Sequence, residues 1–288
     1  MMPEDRPPGT VHIDLDGAKH IFAAHGWEYP LDRDDLFLSG LEAALDFLGR
    51  ARVCATFFVI AEDLGDPAKR EALGEVVACG HELGSHGWSH RRLSGLGAAE
   101  LDREIADSRK AIEDGLGVSV RGFRAPGFDL DRAVLERIAE AGYAYDSSLH
   151  PSRGGARRLG VDRIPAHPHR PLAGPLLELP LPGHGGLPLP FHPSYALVLG
   201  KWYFGTGLRR FARQRAPLVL LFHLTDFARP LSEGIRGPAQ RLFTISHRSQ
   251  PDKLDSCSGM LNLARERFRL VATSEILAHL SGGEEAYP

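Results

Sequence analysis

Strand-like and helix-like runs alternate along the whole chain, and that alternation limits the fold more than any single residue does. "TVHIDLDG" puts Val11, Ile13 and Leu15 on one face and His12, Asp14 and Asp16 on the other, a strand closed by Gly17. "SGLEAALDFLGR" follows at helical spacing with Ser39 as the expected cap, and "RVCATFFVIA" reads as a buried parallel strand. "DPAKREALGEVVACG" reads as a helix with Pro67 in its first turn and Gly80 at its end, leading into the short strand "HELGSH". The amphipathic helix "GAAELDREIADSRKAIEDGLG", the strand "VRGFRAP", the helix "DRAVLERIAEAG" and the strand "YAYDSS" repeat the pattern. Then come "LLELPLP", the helix-like "YALVLGKWYFGTGLRRFARQ" and the strand "APLVLLFHL". "SCSGMLNLARERF", "RLVAT" and "SEILAHL" close the chain as helix, strand and helix.

Strands separated by helices from end to end mean a mostly parallel sheet. Seven or eight such units favour a closed or nearly closed α/β barrel over an open sheet. The 288 residues suit a single domain over 1–288, since no linker or internal repeat divides them. One Pro/Gly/His-rich stretch, 151–193, is too long for a plain connection and is expected to be a cap or functional loop. The net charge of −3 is spread without long like-charged blocks, so no nucleic-acid partner is expected. Cys54, Cys79 and Cys257 are odd in number and lack CxxC spacing, so no disulfide framework is expected. "MMPEDRPPGT" has neither a basic nor an apolar leader segment, and no run reaches membrane-spanning length; the expected location is cytoplasmic.

Function in parallel α/β folds gathers at the carboxyl ends of strands. The polar residues there are Asp14 and Asp16, His86 and His90, Arg124 with Pro126, Asp146, and His223. Each has a bland alternative: a cap, a turn, an ion pair. His223 resists it most, because it interrupts the apolar "VLLFHL", where a buried polar group needs a partner. Taken together the set has one chemical reading. Two histidines four apart on one turn, with a carboxylate from another strand, make three ligands and leave one position open, as in catalytic zinc sites. A second carboxylate can take a proton from water, a histidine opposite can return one to a leaving amine, and an arginine can hold the base ionised. That is a metal-assisted hydrolase for an amide or ester.

The order and spacing of "HIDLDG", "SHGWSH", "RGFRAPGF", "YDSSLHP" and "LLFHL" resemble the five motifs of the polysaccharide deacetylase family, the NodB-homology or carbohydrate esterase family 4 group. "ATFFVI" and "GHELGSHGWSH" add to the likeness, which runs from about residue 10 to 225. The resemblance implies a deformed (β/α) barrel of about seven parallel strands. It also implies that Asp16, His86 and His90 bind one divalent metal, zinc first, with cobalt or another divalent ion accepted by a mixed N/O site. Asp14 would be the base oriented by Arg124, and His223 the acid tuned by Asp146. Pro126, Gly127 and Phe128 would line the sugar site. Many members have adjacent aspartates in the first motif; here the pattern is Asp14-Leu-Asp16, and strand alternation still turns both toward one site.

The implied reaction removes an N-acyl group, acetyl first, from an amino sugar that is small, nucleotide-linked or lipid-linked. Deformylases of lipid-linked formamido sugars resemble this chain in the D-x-D motif, so formyl is an alternative. "FHPSYALVLGKWYFGTGLRRFARQ" sets aromatics beside a basic cluster, either a membrane-contacting helix or an ordinary barrel helix. Two other readings remain: a metal-free imide or ureide hydrolase of the same fold, and a non-catalytic sugar-binding protein. The sequence leaves the oligomeric state open. "LFTISHRSQPDKLDSCSGML" carries no motif.

Overall fold

The computed structural model describes residues 6–172, 174–184 and 191–281. Among these, the strands are β1 (Pro8–Asp14), β2 (Ala55–Val59), β3 (Glu82–Ser85), β4 (Gly122–Phe123), β5 (Tyr145–Asp146), β6 (Leu177–Glu178), β7 (Leu218–His223) and β8 (Arg269–Leu270). The helices are α1 (Ala18–Ala24), α2 (Asp35–Ala51), α3 (Pro67–Ala78), α4 (Ala98–Asp102), α5 (Ser108–Leu116), α6 (Arg132–Glu140), α7 (Arg153–Leu159), α8 (Pro193–Leu199), α9 (Lys201–Ala212), α10 (Pro238–Phe243), α11 (Gln250–Arg265) and α12 (Thr273–Ser281).

Seven strands run in the order β6-β5-β4-β3-β2-β1-β7, and β8 pairs with the start of β1. Every ladder between these strands is parallel. Among the described residues no ladder joins β6 to β7, so the sheet curls into a half-barrel with one open seam. This is the deformed (β/α) barrel that the alternation and the motifs predict. The central strands read as apolar runs because they are covered on both faces: all five residues of β2 are buried, as are Leu218–Phe222 of β7. Each such Leu or Phe contributes roughly 1.5–3 kcal/mol on burial.

Local chemistry sets the helix ends. The helix expected from Ser39 starts earlier, because the Asp34 carboxylate accepts from Phe37 N–H and caps α2; the Ser39 hydroxyl donates to the Asp35 carbonyl instead. The run read as one helix over 195–214 is two, α8 and α9, broken at Gly200, whose φ of 93° and ψ of 163° leave the helical region. α4 and α5 form the single expected rod, but Arg103–Asp107 inside it make a π turn. Within 151–193 the described residues hold α7 and β6; Ala173 and residues 185–190 of that stretch lie outside the described residues. All three cysteines are free. No helix of the described residues is long and apolar enough to cross a membrane.

Candidate active site

Strand register lays down the first layer of the site. β1 lies between β2 and β7, with Asp14 opposite Phe58 on one side and His223 on the other. Asp16 follows two residues on, past the buried Leu15, so alternation turns both carboxylates into the same cleft. His86 continues β3: its N–H donates to the Val59 carbonyl at 2.7 Å. Its Nδ1 donates to the Arg124 carbonyl at 2.8 Å. That bond fixes the tautomer and leaves Nε2 free, 3.3 Å from Asp16 Oδ1. His90 Nε2 lies 3.2 Å from the same oxygen.

The turn carrying both histidines is not helical, since Gly87 and His90 have φ of 81° and 59°. Its shape comes from Glu104, buried in the π turn. That carboxylate accepts from Trp88 N–H at 2.9 Å, Ser89 N–H at 3.0 Å and the Ser89 hydroxyl at 2.5 Å. A side chain at Gly87 would meet Glu104 Oε2 at 3.1 Å, so glycine is needed there for conformation and for space. Behind the turn, His20 packs on His90 with ring centroids 5.9 Å apart. His20 is in turn held by Asp63 at 3.1 Å, and Lys69 bridges Asp63 at 2.6 Å and Asp34 at 3.1 Å.

Asp16, His86 and His90 each offer one ligand atom within 4.8 Å of the others. The buried Asp16 Oδ1 has no hydrogen-bond partner. A carboxylate oxygen facing two imidazole nitrogens is the donor set of a divalent cation, and the residues present fit one. The electrostatics agree. Burial pushes the Asp16 carboxyl up, but His90 and His86 outweigh it and hold it well below the usual carboxylate range. Burial pushes His86 down, and the charges of Asp14 and Asp16 reverse that.

Arg124 is wholly buried. Its Nε lies 3.3 Å from Asp14 Oδ1, and its Nη2 donates to His12 Nδ1 at 2.6 Å and to the Ser147 hydroxyl at 3.1 Å. The guanidinium sits 4.5 Å from the centroid of the Phe58 ring. Gly84 makes that floor possible, since a Cβ there would lie 2.6 Å from the Phe58 ring. Burial, then the Arg124 charge, hold His12 well below its ordinary range, so it is neutral and accepts from the arginine. Sequence reading placed His12 on the face of Asp14 but missed this partnership.

His223 Nε2 points to Asp14 Oδ2 at 3.7 Å. Its Nδ1 lies 3.0 Å from the hydroxyl of Ser194, which donates to Asp226 Oδ2 at 2.9 Å; the same oxygen accepts from His223 N–H at 2.9 Å. The resemblance assigned the tuning carboxylate to Asp146, and here Asp146 is engaged elsewhere. It accepts from the Ser148 hydroxyl at 2.7 Å and Ser148 N–H at 3.2 Å, and Ser148 Oγ accepts from Ala125 N–H at 2.8 Å. Glu178 lies across the ladder from Asp146; burial and the Asp146 charge push it well above the usual range, so it is the neutral member of the pair. No hydrogen bond or ion pair joins Asp146 to His223 among the described residues. Asp146 thus fixes the loop next to Arg124.

Pro126, Gly127 and Phe128 form a tight turn after β4. Pro126 is buried behind Gly87, Gly127 is exposed, and Phe128 packs edge-on against His150 at 4.9 Å. None of the three lines the cleft shared by Asp16 and His223. That cleft, of ≈ 410 Å³, is walled by Ile21, Tyr195, Val198, Leu199, Leu242 and Phe243. Val198, Leu199, Leu242 and Phe243 are 45–50% exposed, an apolar rim that the sequence pattern did not reveal.

Residues 31–145 match the family model for polysaccharide deacetylase. A chitooligosaccharide deacetylase of Sinorhizobium fredii is 37% identical over 101 residues, 35% of this chain and 46% of that protein. Curated relatives are matched over 20% to 54% of their own length. A solved structure from Mycobacterium smegmatis assigned to the polysaccharide deacetylases superposes with a TM-score of 0.67 at 19% identity, covering 98% of this chain and 93% of that one. An allantoinase superposes with a TM-score of 0.63 at 13% identity, covering 97% and 92%. At these identities the two structures establish the fold.

Proposed function

We propose that this chain, whose residues 31–145 match the polysaccharide deacetylase family, is a metal-dependent hydrolase removing an N-acyl group, acetyl first, from an amino sugar. One observation carries the reading: Asp16, His86 and His90 converge on a point flanked by Asp14 on its arginine and by His223. A divalent cation held by those three residues, zinc in our reading, would supply a Lewis acid for the acyl carbonyl. Asp14, turned by Arg124, takes the proton of the attacking water. His223 Nε2, on the far side of Asp14 from Arg124, gives a proton to the departing amine. His12, neutral, holds Arg124 without competing for Asp14's charge.

The experiment is elemental analysis of the purified protein beside a His86→Ala/His90→Ala variant, followed by acetate and formate release from N-acetyl and N-formyl sugars with His223→Ala as control. About one zinc-like ion per chain, with acyl release that His223→Ala abolishes, supports the reading. A sugar-binding protein would release neither acid. An imide or ureide hydrolase would act on cyclic imides without a tightly held ion.

The apolar rim bears on the substrate. Polysaccharide alone gives such a surface little to bury, whereas a lipid-linked amino sugar would place its alkyl portion there. Trp202, 72% exposed in the first turn of α9, would add an aromatic contact to a membrane surface. Flotation with anionic liposomes tests this; protein remaining at the bottom of the gradient removes membrane contact.

A further inference from the structure

Three clusters lie outside the roles given above: the neutral Glu178 beside Asp146, the Lys69–Asp63–His20 network behind His90, and the chain Lys253–Asp226–Ser194–His223. The third reaches the reacting end of the cleft and is assembled from three parts of the chain. His223 ends β7, Ser194 lies in the first turn of α8, and Asp226 closes the turn after β7. Lys253, on α11, is wholly buried with its Nζ on the Thr225 carbonyl at 2.8 Å.

We propose that Ser194 and Asp226 are the positioning pair of His223, keeping a proton on Nδ1 so that Nε2 is the nitrogen presented to the substrate. The argument is one of counting. A serine hydroxyl has one hydrogen, and the acceptor-only carboxylate of Asp226 takes it at 2.9 Å. At 3.0 Å from Nδ1 the hydroxyl can then only accept, so Nδ1 carries N–H in both protonation states of the ring. The proton that comes and goes is on Nε2, which faces Asp14. Asp226 also accepts from the backbone N–H of His223, so one carboxylate oxygen fixes both the strand end and, through Ser194, the ring. Burial pushes Lys253 down to about 8 against the charge of Asp226, and burial pushes the Asp226 carboxyl up against the charges of His223 and Lys253. The part that this pair plays in turnover rests on the acid role proposed for His223; the tautomer does not.

The test uses the full chain with 15N-labelled histidine, the His223 signals being assigned by His223→Gln. The neutral ring is expected to carry its proton on Nδ1. Ser194→Ala should shift it largely to Nε2–H, Ser194→Thr should restore it, and Asp146→Asn should leave it alone. On a sugar that the wild type deacylates, Ser194→Ala should lower kcat about 10-fold with KM unchanged. The titratable groups facing the ring are Asp14 from β1, His192 before α8, which burial holds well below its ordinary value, and Asp226, with Lys253 behind Asp226 and Arg124 beyond Asp14. Of these, Asp226→Asn removes a negative charge, so the alkaline limb of kcat should move down by about one pH unit. An Nε2–H ring in the wild type, or an Nδ1–H ring that survives Ser194→Ala, overturns the proposal. So does an alkaline limb that moves in Asp146→Asn and not in Asp226→Asn. A wild type that releases no acyl group refutes the hydrolase reading and leaves the tautomer result to decide this one.

Discussion

The two walls of the cleft are built differently. On the β1–β4 side the polar groups brace one another: His86 holds to Arg124, Arg124 to Asp14 and His12, the histidine turn to Glu104, and His90's neighbour His20 to Asp63, while Asp16 Oδ1 is left without a hydrogen-bond partner. On the α8–α10 side Val198, Leu199, Leu242 and Phe243 form an apolar stretch of the wall, half open to solvent. The stretch matching the family model, 31–145, contains the histidine turn and Arg124 and stops before α8. A wall of interlocked charges tolerates one geometry. A wall of aliphatic groups accepts any apolar shape of the right size. Chemistry belongs to the first wall in this reading, and substrate choice to the second.

If that division holds, the deepest break comes from His86→Ala/His90→Ala, which should abolish metal content and lower turnover by more than about 10³-fold, read by elemental analysis and acyl release. Asp14→Asn should keep the metal and lose about 10²–10⁴-fold in kcat. If it empties the metal site instead, the two aspartates exchange roles. Lys69→Met leaves two buried carboxylates facing one another and should cost about 3–5 kcal/mol in urea unfolding, though Lys69 touches no substrate.

The same variant gives a pH test. Burial pushes Asp63 up, but His20 first and then Lys69 outweigh it and hold the carboxyl below its ordinary value of 3.8, so its stabilisation is complete above that value and is lost as pH falls through the lower folded one. Without Lys69 the loss should begin at higher pH in a denaturation series. The smallest effect sharpens the comparison: Leu199→Ser/Phe243→Ser should leave kcat on a water-soluble N-acetyl sugar unchanged while raising KM for its long-chain alkyl glycoside about 10-fold. Equal effects on both substrates would mean that the apolar wall serves folding alone.

The first wall is also the one legible in sequence. Alternation at "HIDLD" displays Asp14 and Asp16 on one face, the spacing of His86 and His90 is short, and strand ends in a parallel sheet share one edge. Information of that kind is local. Ser194 reaches His223 across 29 positions and Glu104 reaches Trp88 across 16, through folded contacts that no pattern at either end announces. Asp226 stands three residues after His223, and nothing in the sequence around it marks it as a partner of that ring. The break at Gly200 was hidden because apolar spacing continues across it, and one glycine inside a helix costs only about 1 kcal/mol.

The π turn at Arg103–Asp107 has a consequence for how this protein can change over generations. Such a turn is an α-helix with one residue too many. Removing Arg103, the residue before Glu104, would let the rod heal into regular form. It would also swing Glu104 by about 100° about the axis, away from the amides of Trp88 and Ser89. The histidine turn would then lose its clasp although no residue of the site had been altered. A survey of point substitutions would pass over this weakness, and a single in-frame codon deletion would find it.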